Sequence, residues 1–461
     1  MELDFSGKKV LVIGAGVSGF AAAKIAKRKG AEVVLSDAKA EEDIKYDLAE
    51  IRDAGIGLAF GPQSEELLDG VSMVIPSPAV PVRIPIIQSA YAKGIRVLSE
   101  VEMAYELAQS PIASVTGTNG KTTTVTLLGL LLAAPFQKEN VGVGGNIGVP
   151  LSEEALRIGA GGALVAEISS YQMEATEDFL PHVAAVLNVT PDHIVRHGSM
   201  EVYQQMKERM FAQQTAEDFL VLNYDDEQVR GMKERAQAQV CYFSRRQELA
   251  EGAFVRQSDK RLVIRWQGEE HELCLTKELG IKGGHNVENA LAAAASAFFM
   301  GATAAEMVPV LKSFTGVEHR IEYVRELNGV AYYNDSKATN TDSAIKALEA
   351  FEDGHIILLA GGDDKLTDLT DFLSTVKKQC DELILLGAAA ERFEQEALRN
   401  GYPQEHLHRV GFSMEEAVKK AHELAKAGQV VLLSPACASF DMYDGMAERG
   451  RDFKRLVNGL R

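Results

Sequence analysis

The sequence is poor in the residues that make disulfide frameworks, zinc sites and nucleic-acid surfaces. Only four cysteines occur among 461 residues. None of them forms a CxxC pair, so neither a zinc site nor a disulfide framework is indicated. Acidic residues outnumber basic residues by 66 to 48, which leaves a formal net charge of -18. A surface this acidic repels phosphate backbones, so nucleic acid is not expected as a partner.

Long hydrophobic runs are also missing. The longest apolar stretches, near Val125–Pro135 and Ala290–Met300, fall short of the roughly 20 residues that a membrane-spanning helix needs. The first five residues carry two acids and no apolar run, so no signal peptide is predicted. With so few cysteines, these features lead us to expect a cytoplasmic protein without a membrane partner. We also expect a monomer.

What the sequence does contain is a regular alternation of short β-rich runs and helical patterns. Lys8–Ile13 and Glu32–Ser36 are predicted strands on either side of a predicted helix, Gly19–Lys29. The pattern returns after residue 111 and again after residue 316, which predicts an α/β protein with parallel sheets. Phe254–Leu275 differs, because alternating apolar residues around charged turns predict antiparallel strands. We place three domains at residues 1–100, 101–316 and 317–461.

A first glycine-rich segment, residues 14–19 (GAGVSG), follows the first predicted strand and opens a helix. Glycines there permit a tight turn and a close approach to a pyrophosphate at the helix N-terminus. Asp37 ends the second strand and suits a hydrogen bond to a ribose or a base. The segment predicts a nucleotide-like ligand and leaves NAD and a UDP-sugar equally open. The alternative is a glycine turn that only packs a strand against a helix.

A second glycine-rich segment, residues 116–122 (TGTNGKT), also lies between a strand and a helix. Its backbone amides and Lys121 predict a cradle for the β- and γ-phosphates of a nucleoside triphosphate, with the Thr122 hydroxyl on Mg²⁺. The spacing departs from the usual P-loop, since Val115 stands where the first glycine is expected. The shorter form still contains each chemical part.

Polar residues follow two further apolar strands of the middle region. Glu167 ends one strand, and Asp192-His193 follows another. Ligands of parallel sheets usually lie at such strand ends, and a carboxylate with an imidazole would complete a metal shell beside the phosphates. Each residue alone is better explained by a structural role, whereas their combination with the phosphate loop favours a metal. The side-chain amide of Asn289 has a donor and an acceptor, which match the hydrogen-bonding edge of an adenine base. Asn286 is better explained as a helix cap.

The last third brings three polar loops after predicted strands, namely residues 334–340 (NDSKATN), 361–365 (GGDDK) and 434–441 (SPACASFD). Each loop carries a hydroxyl or a cation, which is the composition expected of a pocket for an anionic amino acid. Just before them lies Arg320, which would either reach phosphates across a cleft or pair with surface acids.

Together these segments resemble the Mur ligase family over the whole chain. The general family motifs are the phosphate loop, Glu167, the segment from Asn188 to His193, residues 284–289 (GHNVEN) and His319-Arg320. Residues 334–340 and 434–439 resemble the glutamate-adding branch in particular. The Asp-Asn-Pro-Arg motif of the diaminopimelate- and lysine-adding branch is absent, and so is the His-rich loop of the alanine-adding branch.

The resemblance implies an α/β fold with a Rossmann-like N-terminal domain for UDP, a central P-loop ATPase-like domain and a Rossmann-like C-terminal domain for the amino acid. It implies an ATP-dependent ligase that uses Mg²⁺ and adds D-glutamate to UDP-N-acetylmuramoyl-L-alanine through an acyl phosphate. The rival interpretations are a folylpolyglutamate-synthase-like glutamate ligase, an NAD-dependent oxidoreductase and a non-catalytic nucleotide-binding regulator.

The resemblance also implies roles for individual residues. The residues implied for the UDP-substrate are Gly14, Val17, Ser18, Asp37, Ser77, Asn146, Gly148, Ser169 and Gln172. Those implied for ATP are Gly117, Thr118, Asn119, Gly120, Lys121, Thr122, Thr123, Asn289, Arg320 and Asp335. Those implied for glutamate are Thr339, Lys365, Ser439 and Phe440. The implied metal ligands are Thr122, Glu167, His193 and Lys207, and the implied catalytic residues are Lys121, His193, Lys207 and Lys337.

Lys207 matches the position of a carbamylated lysine in the family. Judged by its own surroundings in the sequence, it is predicted to be a solvated helix lysine.

Overall fold

The computed structural model describes residues 3–44, 46–281, 283–351, 354–364 and 366–461. The chain forms two compact units. The first unit runs to Leu279 and also takes in Gly284–Ser313, and the C-terminal unit comprises Gly280–Gly283 and Phe314–Arg461. Two sheets belong to the first unit and one sheet to the C-terminal unit. The domain limits at residues 100 and 316 stay predictions.

The first sheet has five parallel strands in the order β3-β2-β1-β4-β5. Successive strand side chains point to opposite faces, so Val10 and Val12 enter one apolar cluster while Leu11 and Ile13 enter another. The strands are β1 (Lys9–Ile13), β2 (Glu32–Asp37), β3 (Gly57–Phe60), β4 (Val71–Pro76) and β5 (Arg96–Val97). The helices are α1 (Val17–Arg28), α2 (Ala49–Asp53), α3 (Pro85–Ala92) and α4 (Glu100–Leu107).

The second sheet has nine strands, β6 (Ile112–Thr116), β7 (Val141–Gly145), β8 (Ala163–Glu167), β9 (Val183–Val186), β10 (Phe219–Asn223), β11 (Gln239–Ser244), β12 (Gly252–Arg256), β13 (Arg261–Trp266) and β14 (Glu269–Leu275). Their order is β14-β13-β12-β11-β10-β9-β6-β8-β7. The last three strands pair antiparallel, which confirms the prediction for this stretch, and the others are parallel. The helices are α5 (Lys121–Leu131), α6 (Ala133–Phe136), α7 (Leu151–Arg157), α8 (Ile194–His197), α9 (Met200–Glu208), α10 (Glu227–Arg230), α11 (Gly284–Phe299) and α12 (Ala304–Ser313).

The third sheet has six strands in the order β15-β16-β20-β17-β18-β19, of which only β15 is antiparallel to its neighbour. The strands are β15 (Glu322–Leu327), β16 (Val330–Asn334), β17 (Ile356–Gly361), β18 (Cys380–Leu386), β19 (Leu407–Arg409) and β20 (Val430–Leu433). The helices are α13 (Thr341–Glu349), α14 (Thr370–Gln379), α15 (Ala390–Arg399), α16 (Met414–Leu424) and α17 (Met446–Gly459).

The topology decides where the polar loops meet. Strand β6 lies between β8 and β9, so the phosphate loop after β6, Glu167 at the end of β8 and the segment after β9 share one edge of the sheet. Likewise, β16, β20 and β17 are neighbours, so the three polar loops that follow them share one edge of the third sheet. Within the described residues, no helix is long and apolar enough to cross a bilayer. The predicted α/β fold is confirmed.

Candidate active site

The glycine-rich loop after β1 packs against the end of β4. Gly14 has a φ of 103°, in the left-handed region that favours glycine. A Cβ at this position would lie 2.8 Å from the Cβ of Ser77, and the Ser77 hydroxyl donates a 2.8 Å hydrogen bond to the Gly14 carbonyl. Glycine is therefore required at position 14 both by its backbone and by its neighbour. The buried Ser77 hydroxyl braces the loop.

Asp37 shapes the same loop from the neighbouring strand. Its Oδ2 accepts a 2.8 Å bond from the amide of Ala15, and its Oδ1 accepts a 3.0 Å bond from the amide of Lys39. Helix α1 opens directly behind this loop, with Gly16 at its N-cap and no capping side chain. Amide groups without a side-chain cap suit a pyrophosphate.

A pocket of about 220 Å³ lies between the start of α1 and the loop after β7. Five residues predicted to bind the UDP-substrate line it together: Val17, Ser18, Asn146, Gly148 and Gln172. The amide and hydroxyl of Ser169 both donate 2.9 Å bonds to the Gln172 side-chain oxygen, which fixes that side chain at the pocket wall. The Asn146 side chain donates a 2.9 Å bond to Glu167, so the pocket adjoins the predicted metal residue.

The phosphate loop lies between β6 and α5. Gly117 and Gly120 have φ values of 154° and 83°, and the loop leads directly into Lys121, the first residue of α5. The Lys121 ammonium donates to the carbonyls of Gly117 and Thr118 at 2.7 and 2.9 Å. The cation is thus held over the loop, where it would meet an incoming phosphate. Thr122 is buried and Thr123 half-buried.

Two asparagines hold this loop from outside. Asn188 accepts a 2.8 Å bond from the amide of Asn119 and donates a 3.2 Å bond to the Asn119 carbonyl. Asn289 lies behind the loop, where a Cβ at Gly120 would come within 2.3 Å of its Oδ1. The buried Asn289 amide also accepts from Thr124 at 3.3 Å. Asn289 therefore shapes the loop, in addition to its predicted contact with the nucleotide.

Glu167 has the surroundings that best fit a metal ion. It is 2% exposed; one carboxylate oxygen accepts from Asn146, and the other is buried without a hydrogen-bond partner among the described residues. A buried carboxylate oxygen without a partner is costly, and a divalent cation would satisfy it. No three His, Cys, Asp or Glu side chains cluster as a metal site in the described ranges. The fit rests on Glu167 and not on a cluster of carboxylates.

His193 lies at the N-cap of α8 with a φ of 55°. Its Nδ1 lies 3.1 Å from the Tyr171 hydroxyl, and its amide donates a 2.9 Å bond to Asp192. The ring is partly exposed, so it is accessible to a substrate.

Lys207 is not solvated, and that prediction from its sequence context was wrong. The residue is 2% exposed, and its Nζ lies 4.4 Å from the centroid of the Tyr203 ring. Lys207 and Tyr203 are four residues apart and share the inner face of α9. The Tyr203 hydroxyl lies 3.2 Å from the Thr118 hydroxyl of the phosphate loop, and burial raises the pKa of Tyr203 to about 12. Lys207 is thereby connected to the phosphate loop.

Asp335 is buried just after β16 in the C-terminal unit. Its Oδ2 accepts a 2.7 Å bond from the Ser434 hydroxyl, and its Oδ1 accepts a 3.2 Å bond from the Ile321 amide. Burial raises the pKa of Asp335 to about 7. Arg320, adjacent to Ile321, is half-buried.

The residues predicted to bind glutamate differ in exposure. Thr339 is half-buried, Ser439 is buried and Phe440 is 72% exposed. Lys337 is exposed, and its amide donates a 3.0 Å bond to the His319 carbonyl. Lys365 lies outside the described residues.

Arg449 is a residue that sequence reasoning missed. It is 3% exposed in α17 and donates to the hydroxyl and carbonyl of Ser336 at 3.0 and 2.9 Å. It also donates to the carbonyls of Cys437 and Ala438 at 3.1 and 2.9 Å. Burial lowers its pKa to about 10. The Arg449 side chain thus joins the loops after β16 and β20. No sequence motif near Arg449 predicts these contacts.

Family models match the chain in three successive stretches. The N-terminal domain of MurD-like Mur ligases matches residues 8–99, the Mur ligase middle domain residues 115–297, and the Mur ligase glutamate ligase domain residues 319–437. Solved structures with a similar fold include MurF from Acinetobacter baumannii (TM-score 0.56, 17% identity, 96% of this chain and 93% of that chain). Another is the UDP-N-acetylmuramate-alanine ligase MurC from Thermotoga maritima (TM-score 0.52, 19% identity, 98% and 99%).

Sequence relatives identify the branch of the family to which the chain belongs. The UDP-N-acetylmuramoylalanine–D-glutamate ligase of Pelotomaculum thermopropionicum is 44% identical over 461 residues, with both chains fully covered. The enzyme of that name from Caldanaerobacter subterraneus subsp. tengcongensis is 42% identical over 459 residues, again with both chains fully covered. With this identity over the full length, the chain belongs to the Mur ligase family and, within it, to the UDP-N-acetylmuramoylalanine–D-glutamate ligases.

Proposed function

We propose that the chain joins D-glutamate to UDP-N-acetylmuramoyl-L-alanine and converts ATP to ADP and phosphate. The observation that carries the proposal is the Asn146–Glu167 hydrogen bond of 2.9 Å. It connects the pocket lined by the predicted UDP-substrate residues to a buried carboxylate oxygen that has no hydrogen-bond partner in the described part of the chain. That carboxylate lies on the same sheet edge as the phosphate loop. The rival NAD-dependent oxidoreductase leaves the phosphate loop unexplained.

The chemistry follows from the weak reactivity of a carboxylate toward an amine at neutral pH. An oxygen of the alanyl carboxylate attacks the γ-phosphorus of ATP, and the bond from that phosphorus to the β,γ-bridging oxygen breaks to release ADP. Lys121, held over the loop by two carbonyls, stabilises the charge on the transferring phosphoryl group. The glutamate amine then attacks the acyl phosphate, and phosphate leaves as the amide forms.

The amine must lose a proton in this second step. The candidate acceptors are His193, Lys337 and water, and both side chains are exposed. In this scheme, Asp335 and Arg320 of the C-terminal unit contact the nucleotide. The glutamate substrate is bound by Thr339, Lys365, Ser439 and Phe440.

The proposed metal is Mg²⁺, with one ion held by Thr122 beside ATP and a second held by Glu167 and His193, supported by a carbamate on Lys207. Bound there, it would neutralise phosphate charge. Carbamylation would replace the buried ammonium of Lys207 with an anion. We further propose that the chain works in the cytoplasm as a monomer.

The experiment is a coupled assay of ADP release with Mg²⁺, ATP and the UDP-linked precursor, to which D-glutamate, L-glutamate or no amino acid is added. We expect release only with the precursor and D-glutamate together. Release that requires a folate acceptor instead would favour the folylpolyglutamate-synthase-like ligase. ATP binding without release under any condition would favour the regulator.

A further inference from the structure

Arg196 joins two parts of the first unit that are far apart in sequence. Its Nε and Nη2 donate to the two carboxylate oxygens of Glu174 at 2.7 and 2.8 Å. The same guanidinium donates to three successive carbonyls, those of residues 78, 79 and 80, at 3.3, 3.2 and 3.1 Å. Both side chains of the ion pair are only 10% exposed. A guanidinium group that donates five hydrogen bonds is held rigidly, because each bond restricts the orientation of its plane.

The three carbonyls belong to the segment that contributes Pro78 to the wall of the predicted substrate pocket. In the same segment, the amide of Val80 donates a 2.9 Å bond to the Ser77 carbonyl. A Cβ placed on Gly14 would lie 3.0 Å from a methyl group of Val80. The segment held by Arg196 therefore packs directly against the glycine-rich loop.

The other contacts of Arg196 lead toward the predicted catalytic histidine. Its guanidinium carbon lies 4.7 Å from the centroid of the Tyr171 ring, and the Tyr171 hydroxyl lies 3.1 Å from Nδ1 of His193. Its partner Glu174 shares the short 3-10 helix Gln172–Ala175 with Gln172, which lines the pocket. One guanidinium thus contacts the pocket wall, the helix beside it and the tyrosine that meets the histidine.

We propose that Arg196 is a positioning residue for the UDP-linked precursor. It fixes the pocket wall at residues 78–80 in register with Gln172 and with the Tyr171–His193 pair. The identity of the ligand in this inference rests on the proposed function. A lysine at this position would keep the charge beside Glu174 but would lose the fork that reaches the carbonyls.

The test compares R196K with the unmodified full chain. We expect the KM for the precursor, and its dissociation constant by calorimetry, to rise about tenfold, while the KM for ATP stays within about twofold. The matched control is R83K. Arg83 is exposed, lies at the same junction and donates a 2.6 Å bond to the Arg196 carbonyl, but no described bond connects it to the pocket. R83K should leave both KM values within about twofold.

The outcomes separate a positioning role from a structural one. A lower melting temperature for R196K with unchanged precursor affinity would overturn the inference, and so would equal increases in both KM values. If R196K fails to fold, E174Q serves instead; it keeps one of the two acceptor oxygens, replaces the other with an NH2 donor, removes the charge and should weaken precursor binding in the same direction. If the unmodified chain binds the precursor but forms no amide, the proposed function fails, and the calorimetric comparison still decides the role of Arg196.

Discussion

In the first unit, the two glycine-rich loops are shaped by backbone geometry. Gly14 and Gly120 both have positive φ, and a Cβ on either would meet a neighbouring side chain within 3 Å. In the C-terminal unit, the polar loops are held by buried ionisable side chains, Asp335 and Arg449. The two kinds of loop should respond to different changes. Loops shaped by the backbone should lose stability when a methyl group is added, whereas loops held by buried ionisable groups should respond to pH and to removal of those groups.

The largest effect is expected from removing the one cation of the phosphate loop, since it acts on the reacting charge itself. Lys121→Met keeps the length of the side chain and removes its charge, so turnover should fall by about 10²–10³-fold. Binding of the UDP-linked precursor should persist, because that pocket lies on other elements. Steady-state kinetics and calorimetry measure the two quantities. Lys29→Met, at an exposed position of the first unit, is the control. A loss of precursor affinity equal to the loss of turnover would contradict the independence of the two loops.

Removing the buried cation of the C-terminal unit should mainly cost stability. Arg449→Met removes the guanidinium donors to three carbonyls, of which only that of Ala438 keeps another described donor, the Asp363 amide. The free energy of unfolding should therefore fall by roughly 3 kcal/mol. Chemical denaturation measures it, and Arg451→Met, an exposed position on the same helix, should change little. Equal stability of the two variants would mean that Arg449 does not hold the loops together.

The pH dependence of stability sharpens the contrast between the units. Because burial raises the pKa of Asp335 to about 7, the folded chain holds a proton there that the unfolded chain has lost above pH 4 or so. The stability that this group contributes therefore falls as the pH rises from about 4 to about 7 and levels off above the folded pKa. From pH 5 to 7.5 the unmodified chain should lose about 2 kcal/mol relative to D335N. Parallel pH profiles of unfolding free energy for the two proteins would contradict the assignment.

The smallest effects are expected from methyl groups in the two glycine loops. Gly120→Ala and Gly14→Ala should each cost about 1–2 kcal/mol of stability, because the backbone is left-handed and the Cβ has no room. Gly120→Ala should weaken ATP binding alone, and Gly14→Ala should weaken precursor binding alone. Gly16→Ala, where a Cβ meets nothing within 4 Å and φ is -104°, should stay within about 0.5 kcal/mol. If all three variants lose equal stability, steric conflict does not explain why glycine stands at positions 14 and 120.

The elements that could be predicted from the sequence are those whose signal is local. Strands β1 and β2 were predicted to within one residue at each end, because each is an apolar run bounded by glycine or a charged residue. Strand β7 was missed because its sequence, VGVGG, is rich in glycine, and β15 because most of its side chains are only partly buried. Both glycine-rich segments were recognisable because the loop and the start of the helix are contiguous in sequence.

The parts of the site that the sequence did not reveal depend on distant contacts. The burial of Lys207 depends on which face of α9 turns inward, and a charged residue gives no local sign of that. Arg196 donates to carbonyl oxygens more than 100 residues away. Arg449 donates to one carbonyl 113 residues away and to two that are 11 and 12 residues away. Carbonyls are present at every position, so a bond to one leaves no trace in side-chain patterns.

The central claim is that the alanyl carboxylate is phosphorylated and then captured by glutamate. The most direct test uses precursor labelled with ¹⁸O in that carboxylate, with ATP, Mg²⁺ and D-glutamate, and follows both products by mass spectrometry. The account predicts an amide that contains the precursor and one glutamate, together with inorganic phosphate that carries one ¹⁸O atom. ADP formation with unlabelled phosphate and no amide would contradict it.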